Sequence, residues 1–165
     1  IKKIRVDKEG AGMGWGAVYA QYLESMDQIS GQGNGLSVSR QLYKGDEALN
    51  ESAPLKVGDK ITVRLTVKAD RDMDFVQIKD DRAACMEPLQ AVSGFRWSNG
   101  LGYYQATKDA STQFFIDQMR KGTYVIEYQV YVNRTGEYQA GIATVQSAYA
   151  PEFGGHTGGY RVMVE

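Results

Sequence analysis

Several groupings of residues in this sequence could in principle do chemistry. Gly12-Met13-Gly14-Trp15-Gly16-Ala17 matches the G-x-G-x-x-G/A string of dinucleotide sites. In such sites a helix opens at the second glycine and its N-terminus meets the pyrophosphate. Here Val18-Tyr19-Ala20-Gln21-Tyr22 follows and reads as strand, with no βαβ pattern downstream. The run is therefore expected to be a Gly-rich strand or bulge around a packed Trp15. Cys85 is the only thiol and His156 the only imidazole. A nucleophilic cysteine needs a base, but His156 lies between glycine pairs in Gly154-Gly155-His156-Thr157-Gly158-Gly159, which hold a base poorly. A buried, inert cysteine and a loop histidine are expected.

Asp70, Asp72, Asp74, Asp80 and Asp81 invite a calcium or glycosidase reading. The alternate spacing of the first three suggests part of a calcium loop, but Phe75 and Val76 follow where an EF-hand needs glycine. Arg71, Lys79 and Arg82 sit among the acids, so a charged turn with strand-end residues is expected, and a weak calcium site of another kind stays open. No carboxylate pair can be given the separation that glycoside hydrolysis requires. Phe95, Trp97, Tyr103 and Tyr104 fall within one Gly-flanked, loop-like stretch. They either plug an end of the fold or form a contact patch. Two N-x-[ST] sequons, at Asn50 and Asn133, are short enough to arise by chance.

The elements that must position these residues read mostly with period two. Ile61, Val63, Leu65 and Val67 face one way, and Lys60, Thr62, Arg64, Thr66 and Lys68 the other. That is a strand with one wet face. Residues 123–132 are rich in β-branched and aromatic types and form a second clear strand, expected to pair as a hairpin with 138–149. Further strands are expected over 2–6, 17–23, 36–42, 75–79, 112–116 and 161–164, about nine in all. Short helical pieces are possible over 22–29 and at 109–111. Gly31-Gln32-Gly33-Asn34-Gly35 reads as a flexible loop. The fold class is all-β, an antiparallel two-sheet β-sandwich, with a closed barrel as the other architecture.

The 165 residues suit a single domain. Within it, 1–43 supply N-terminal strands, 44–55 a surface connection and 56–165 the main body. Lys plus Arg number 19 against 20 Asp plus Glu, so no broad attraction for nucleic acid is expected. One Cys and one His exclude a disulfide framework and a multi-histidine metal centre. No metal or cofactor is expected. No apolar stretch approaches the roughly 20 residues of a membrane-spanning helix. A start at Ile1 suggests a segment of a longer polypeptide.

Several runs together resemble one family. They are Leu55-Lys56-Val57-Gly58-Asp59-Lys60-Ile61-Thr62-Val63-Arg64-Leu65, Arg71-Asp72-Met73-Asp74-Phe75-Val76, and Asp80-Asp81-Arg82-Ala83-Ala84-Cys85-Met86-Glu87-Pro88. Gly102-Tyr103-Tyr104, Lys121-Gly122-Thr123-Tyr124 and Tyr149-Ala150-Pro151-Glu152-Phe153 extend the pattern. It resembles the C-terminal macroglobulin-like domain of bacterial α2-macroglobulins, in its Bacteroidetes-type form. Trp15-Gly16-Ala17-Val18-Tyr19 and Leu36-Ser37-Val38-Ser39-Arg40 resemble the strands that precede it.

The resemblance implies a non-catalytic domain of a large periplasmic or outer-membrane-anchored protease trap. Its partners would be a helical thioester-type domain, the other macroglobulin domains of the same chain, and target proteases met by the whole protein. In some members an aromatic side chain of this domain acts as a lock over the thioester. By that resemblance Trp97, Tyr103, Tyr104 and Asp109 are interdomain interface residues. The family's thioester joins Cys to a Gln three positions on, but Pro88 stands there, so Cys85 cannot form it. On composition alone, a carbohydrate-binding or other adhesive β-sandwich module at the cell surface is the alternative.

Overall fold

The computed structural model describes residues 4–18, 20–50 and 53–165. Among them, fourteen strands form in chain order: β1 Gln32–Asn34, β2 Leu36–Lys44, β3 Glu47–Ala48, β4 Lys60–Ala69, β5 Met73–Asp81, β6 Met86–Pro88, β7 Gly94–Ser98, β8 Leu101–Thr107, β9 Ser111–Met119, β10 Gly122–Val132, β11 Gly136–Ala140, β12 Ala143–Ser147, β13 Gly154–His156 and β14 Tyr160–Val164. The pairing runs β6-β10-β4-β2-β1-β13-β12-β5-β9-β8-β7, with β3 on β2 and a separate β11–β14 pair. All of these strand pairs are antiparallel. Short β1 and β13 join two layers, β6-β10-β4-β2 and β12-β5-β9-β8-β7, into a sandwich.

Alternation sets which side chains meet between the layers. In β4, Ile61, Val63, Leu65 and Val67 are buried while their neighbours are not. From the facing layer come Val76, Ile78, Phe114 and Ile116, all essentially without solvent contact. Phe114 meets Tyr128 of β10 across the gap, ring centroids 5.9 Å apart. Val162, Val164 and Ala140 of the β11–β14 pair belong to the same core.

A buried polar cluster ties the layers together. Arg40 sits at an inward position of β2, and its guanidinium donates to the Asp80 carboxylate on β5. It also donates to the Gly141 carbonyl (2.6 Å) and lies over the Tyr160 ring at 4.5 Å. The Tyr128 hydroxyl donates to the other Asp80 oxygen at 2.7 Å. The Arg40 and Asp80 side chains are only 4% and 1% exposed. Burial pushes the Asp80 carboxyl above its ordinary value, against the pull of Arg40 and Tyr128. Burial, together with the Asp80 charge, drives the Tyr128 hydroxyl well above the ordinary tyrosine value, so it stays a donor.

Several expectations are corrected. Of the strand over 2–6, Lys2 and Lys3 lie outside the described residues, and 4–6 are in no regular element. Of the strand over 17–23, Tyr19 lies outside them and the rest pair with nothing. Trp15 is 89% exposed rather than packed. The helical piece over 22–29 reduces to one 3-10 turn, Met26–Gln28. Residues 109–110 form a bend instead of a helical turn, and Ser111 opens β9. The 138–149 strand breaks at Gly141-Ile142 into β11 and β12, which pair with β14 and with β5 and β13. It cannot form the expected hairpin because β4 and β6 already hold both sides of β10. The Gly31–Gly35 and His156 loops are strands β1 and β13, paired with each other.

Removing one member of a buried ion pair strands the other charge and costs about 3–5 kcal/mol. Arg40→Met is therefore expected to lower urea-unfolding stability by that amount. Arg40→Met with Asp80→Leu should recover most of the loss, because no lone charge remains. A double variant as unstable as the single one would show that the pair is not the linkage.

Candidate interaction face

The residues suspected of catalysis are kept apart. Cys85 is fully buried in the turn before β6, and burial raises its thiol above the ordinary value. His156 sits on β13 with Nδ1 3.0 Å from the Thr157 carbonyl oxygen. Four strands separate β6 from β13 in the sheet order. The carboxylates are likewise dispersed. Asp70 pairs with Arg71 (2.8 Å), Asp72 accepts from the Lys121 N–H (2.7 Å), Asp81 pairs with Lys79 (2.9 Å), and Asp80 is in the core. Asp80 and Asp81 close β5 as expected, but Asp80 is buried. Among the described residues, no three His, Cys, Asp or Glu side chains are arranged to hold a metal ion. The sequon Asn133 side chain is 3.3 Å from Glu87, and Ser52 of the other sequon lies outside the described residues.

The aromatic stretch instead forms a hairpin. Asn99 and Gly100 both have positive φ (50° and 79°), as a tight two-residue turn between β7 and β8 requires. Among the described residues, β7 is the last strand of its layer, with one edge unpaired. Register then aligns Phe95 with Tyr104 and Tyr104 with Phe115, which places the three rings in a row across β7, β8 and β9 on the outer surface. Phe95 and Tyr104 meet edge to face, centroids 5.1 Å apart. Trp97 stands opposite Gly102, and a Cβ on Gly102 would lie 2.9 Å from two indole carbons. The glycine is what lets the ring lie against the sheet.

Two further aromatics extend the face. Phe75 in β5 has φ 52°, a region costly for a bulky residue, and packs edge to face on Tyr149 at 5.1 Å. Phe95, Trp97 and Tyr149 are each at least 76% exposed. Asp74, Asp117 and Arg120 line the same shallow concavity. An aromatic centre with a charged rim is the composition of protein interfaces.

The four residues expected at an interface are divided by the fold. Trp97 is on this face and Tyr104 is half-buried within it. Tyr103 points the other way, 6% exposed, against Phe114 at 5.6 Å. Asp109 lies past the far end of β8, in the turn whose Lys108 and Asp109 carbonyls accept from the buried Arg82 guanidinium. Five residues of strand, roughly 17 Å, part Gly102 from Thr107. Phase along the strand alone decides this split between neighbours. Phe75, Phe115 and Tyr149 were not singled out from sequence, because only pairing register and the positive φ of Phe75 bring them to the row.

Trp97→Ala is expected to cost the chain less than about 1 kcal/mol in a urea melt, since the side chain is largely in water. Tyr103→Ala should cost about 3–5 kcal/mol, as for a core aromatic. Equal losses would contradict the assignment of opposite faces.

The sequence model described as the bacterial α2-macroglobulin MG10 domain matches residues 35–152. A curated relative, circularly permutated Ras protein 2 of Dictyostelium discoideum, is 27% identical over 169 residues, covering 98% of this chain and 4% of its own length. Among solved structures, a variant of Salmonella α2-macroglobulin superposes with TM-score 0.68 at 20% identity, over 82% of this chain and 10% of that one. Trypsin-activated α2-macroglobulin from Escherichia coli gives 0.70 at 15% identity, over 83% and 11%. The chain thus spans a small part of each of these proteins. With residues 35–152 matched by its model and the sandwich shared with these structures, the chain belongs to the bacterial α2-macroglobulin MG10 domain family.

Proposed function

We propose that this chain is a non-catalytic interaction domain of a bacterial α2-macroglobulin-like protease-trapping protein of the cell envelope, and that it packs against and shields a neighbouring thioester-type domain. The observation that carries the reading is the aromatic outer face of Phe75, Phe95, Trp97 and Phe115, exposed in one region of one sheet, with Tyr149 packed on Phe75. Contiguous apolar surface of that kind marks contact sites. Family membership supports a neighbouring domain as what covers it, since the solved structures are far longer chains of which this domain matches only a small part. The α2-macroglobulin of E. coli is described as activated by trypsin in one structure and by porcine elastase in another, which supports proteases as what the whole protein meets.

The local chemistry is consistent with a contact role. Cys85 is buried, has no imidazole near it in the sheet order, and is followed three residues on by Pro88. Any covalent bond to a protease would have to come from the neighbouring domain. The face would act by excluding water from that neighbour and holding it until cleavage elsewhere loosens the assembly.

In the full-length parent, Trp97→Ala is expected to raise reaction with methylamine before any protease is added by about tenfold, or about 1.4 kcal/mol of lost docking. In a parent without a thioester the same loss would be read as faster limited proteolysis of the uncleaved protein. An unchanged rate in both assays would overturn the shielding role. Reproducible binding of the aromatic face to a defined glycan, abolished by the same substitution, would favour the adhesive module instead.

A further inference from the structure

The inner side of the β7–β8 hairpin carries polar groups that the sandwich does not use. Gly94, Arg96 and Ser98 of β7 alternate inward, as do Leu101, Tyr103 and Gln105 of β8. Register sets Arg96 beside Tyr103 and Gly94 beside Gln105. A glycine opposite Gln105 has no side chain to fill the space there. The result is a cleft of about 320 Å³ between the hairpin and β10, lined by Arg96, Tyr103 and Gln105 with Pro88 and Tyr128.

The polar groups of the cleft lack partners. Gln105 is 4% exposed and Tyr103 6%. Among the described residues, neither the Gln105 amide nor the Tyr103 hydroxyl forms a hydrogen bond. The Arg96 Nε is buried without a partner, and Nη2 reaches only the Val92 carbonyl, at 3.4 Å. Glu127 also borders the cleft, but its carboxylate is held by Arg64. Arg96 is therefore the charge that the cleft leaves unpaired. Burial raises the Tyr103 hydroxyl above its ordinary value and the Arg96 charge pulls it back, so the phenol keeps its proton close to the cation. Buried donors without acceptors are costly, and three converge here. A guanidinium, a phenol and a carboxamide together make a donor set for a carboxylate.

One wall of the cleft is also an open strand edge. β6 covers β10 only over Val130–Val132, and the Leu89 N–H donates to the Gln129 carbonyl at 3.0 Å. Bonding alternates along an antiparallel strand, so the Glu127 N–H and C=O turn to the same edge as those of Gln129. Among the described residues, no strand pairs with β10 there. The Val125 carbonyl further along meets only the Asn99 amide, at 3.5 Å. An extended peptide can pair with such an edge, and its alternate side chains would then enter the gap between the layers.

We propose that this cleft binds an extended segment of a partner polypeptide, whose acidic side chain enters between the layers and is held by Arg96, Tyr103 and Gln105. The unpaired charge of Arg96 makes that side chain acidic rather than neutral. The inference does not rest on the aromatic row, which lies on the opposite side of the same hairpin.

NMR titration of the isotope-labelled 165-residue chain with a short blocked peptide tests it. The probe is acetyl-Thr-Val-Glu-Val-Thr-amide, whose glutamate is its only charge. It is expected to shift the Arg96 Nε–H and Gln105 side-chain resonances, and to bind about tenfold tighter than the same peptide with glutamine at its centre. Arg96→Gln should abolish that preference while leaving the β4 amides where they were. Tyr103→Phe, which keeps the core ring, should weaken binding of the glutamate peptide about fivefold. Equal binding of the two peptides would overturn the proposal, as would a preference that survives Arg96→Gln. So would a spectrum that neither peptide moves, which would leave Arg96 as an inward charge guarding the sheet edge. A response to inorganic phosphate as strong as to the glutamate peptide would overturn it in favour of a general anion site.

Discussion

Asp80 lies between two layers of a sandwich and takes donors from two strands of the facing layer. Arg40 reaches it from β2 and Tyr128 from β10, while Arg40 also holds the Gly141 carbonyl and covers Tyr160. Both charges are out of water, so neither can be satisfied by solvent. Only one relative placement of the layers and of the β11–β12 connection gives both charges their partners. Apolar contacts supply the bulk of the driving force, but they are non-directional. The polar cluster is what distinguishes this placement from a slipped one, since a slip leaves a bare charge in the core.

A continuous chain of packing runs from that cluster to the outer surface. Tyr128 touches Phe114, and Phe114 touches Tyr103 on the inner side of β8. Tyr104 and Gly102, on the other side of the same strand, seat Phe95 and Trp97. A rigid inner side therefore backs the aromatic row. Interfaces bind better when their anchors are preorganised, because less side-chain freedom is lost on contact.

Much of the fold was legible in the alternation of apolar residues. The β4 and β10 patterns identified the central strands, and many short strands in one chain identified the sandwich. What escaped has physical reasons. β1 and β13 are glycine-rich and carry no alternation to read. The break at Gly141 is enforced by tertiary contacts. Two signals were present and unused. Arg40 shares the inward parity of Leu36 and Val38, and Asp80 that of Val76 and Ile78, so opposite charges on buried positions announced a pair. Asn99-Gly100 between alternating residues announced a hairpin where a loop was expected. Of the site, Trp97 and Tyr104 could be found from sequence, but the row they join depends on register.

The proposed role of this domain is that of a surface that functions by being covered. Photo-cross-linking reads that directly. With Trp97 replaced by p-benzoylphenylalanine in the full-length parent, illumination should give an intramolecular cross-link to a neighbouring domain before protease is added. The yield should fall after cleavage loosens the assembly. A probe at position 97 that labels nothing within the intact parent would contradict the claim that the aromatic face is an interdomain surface.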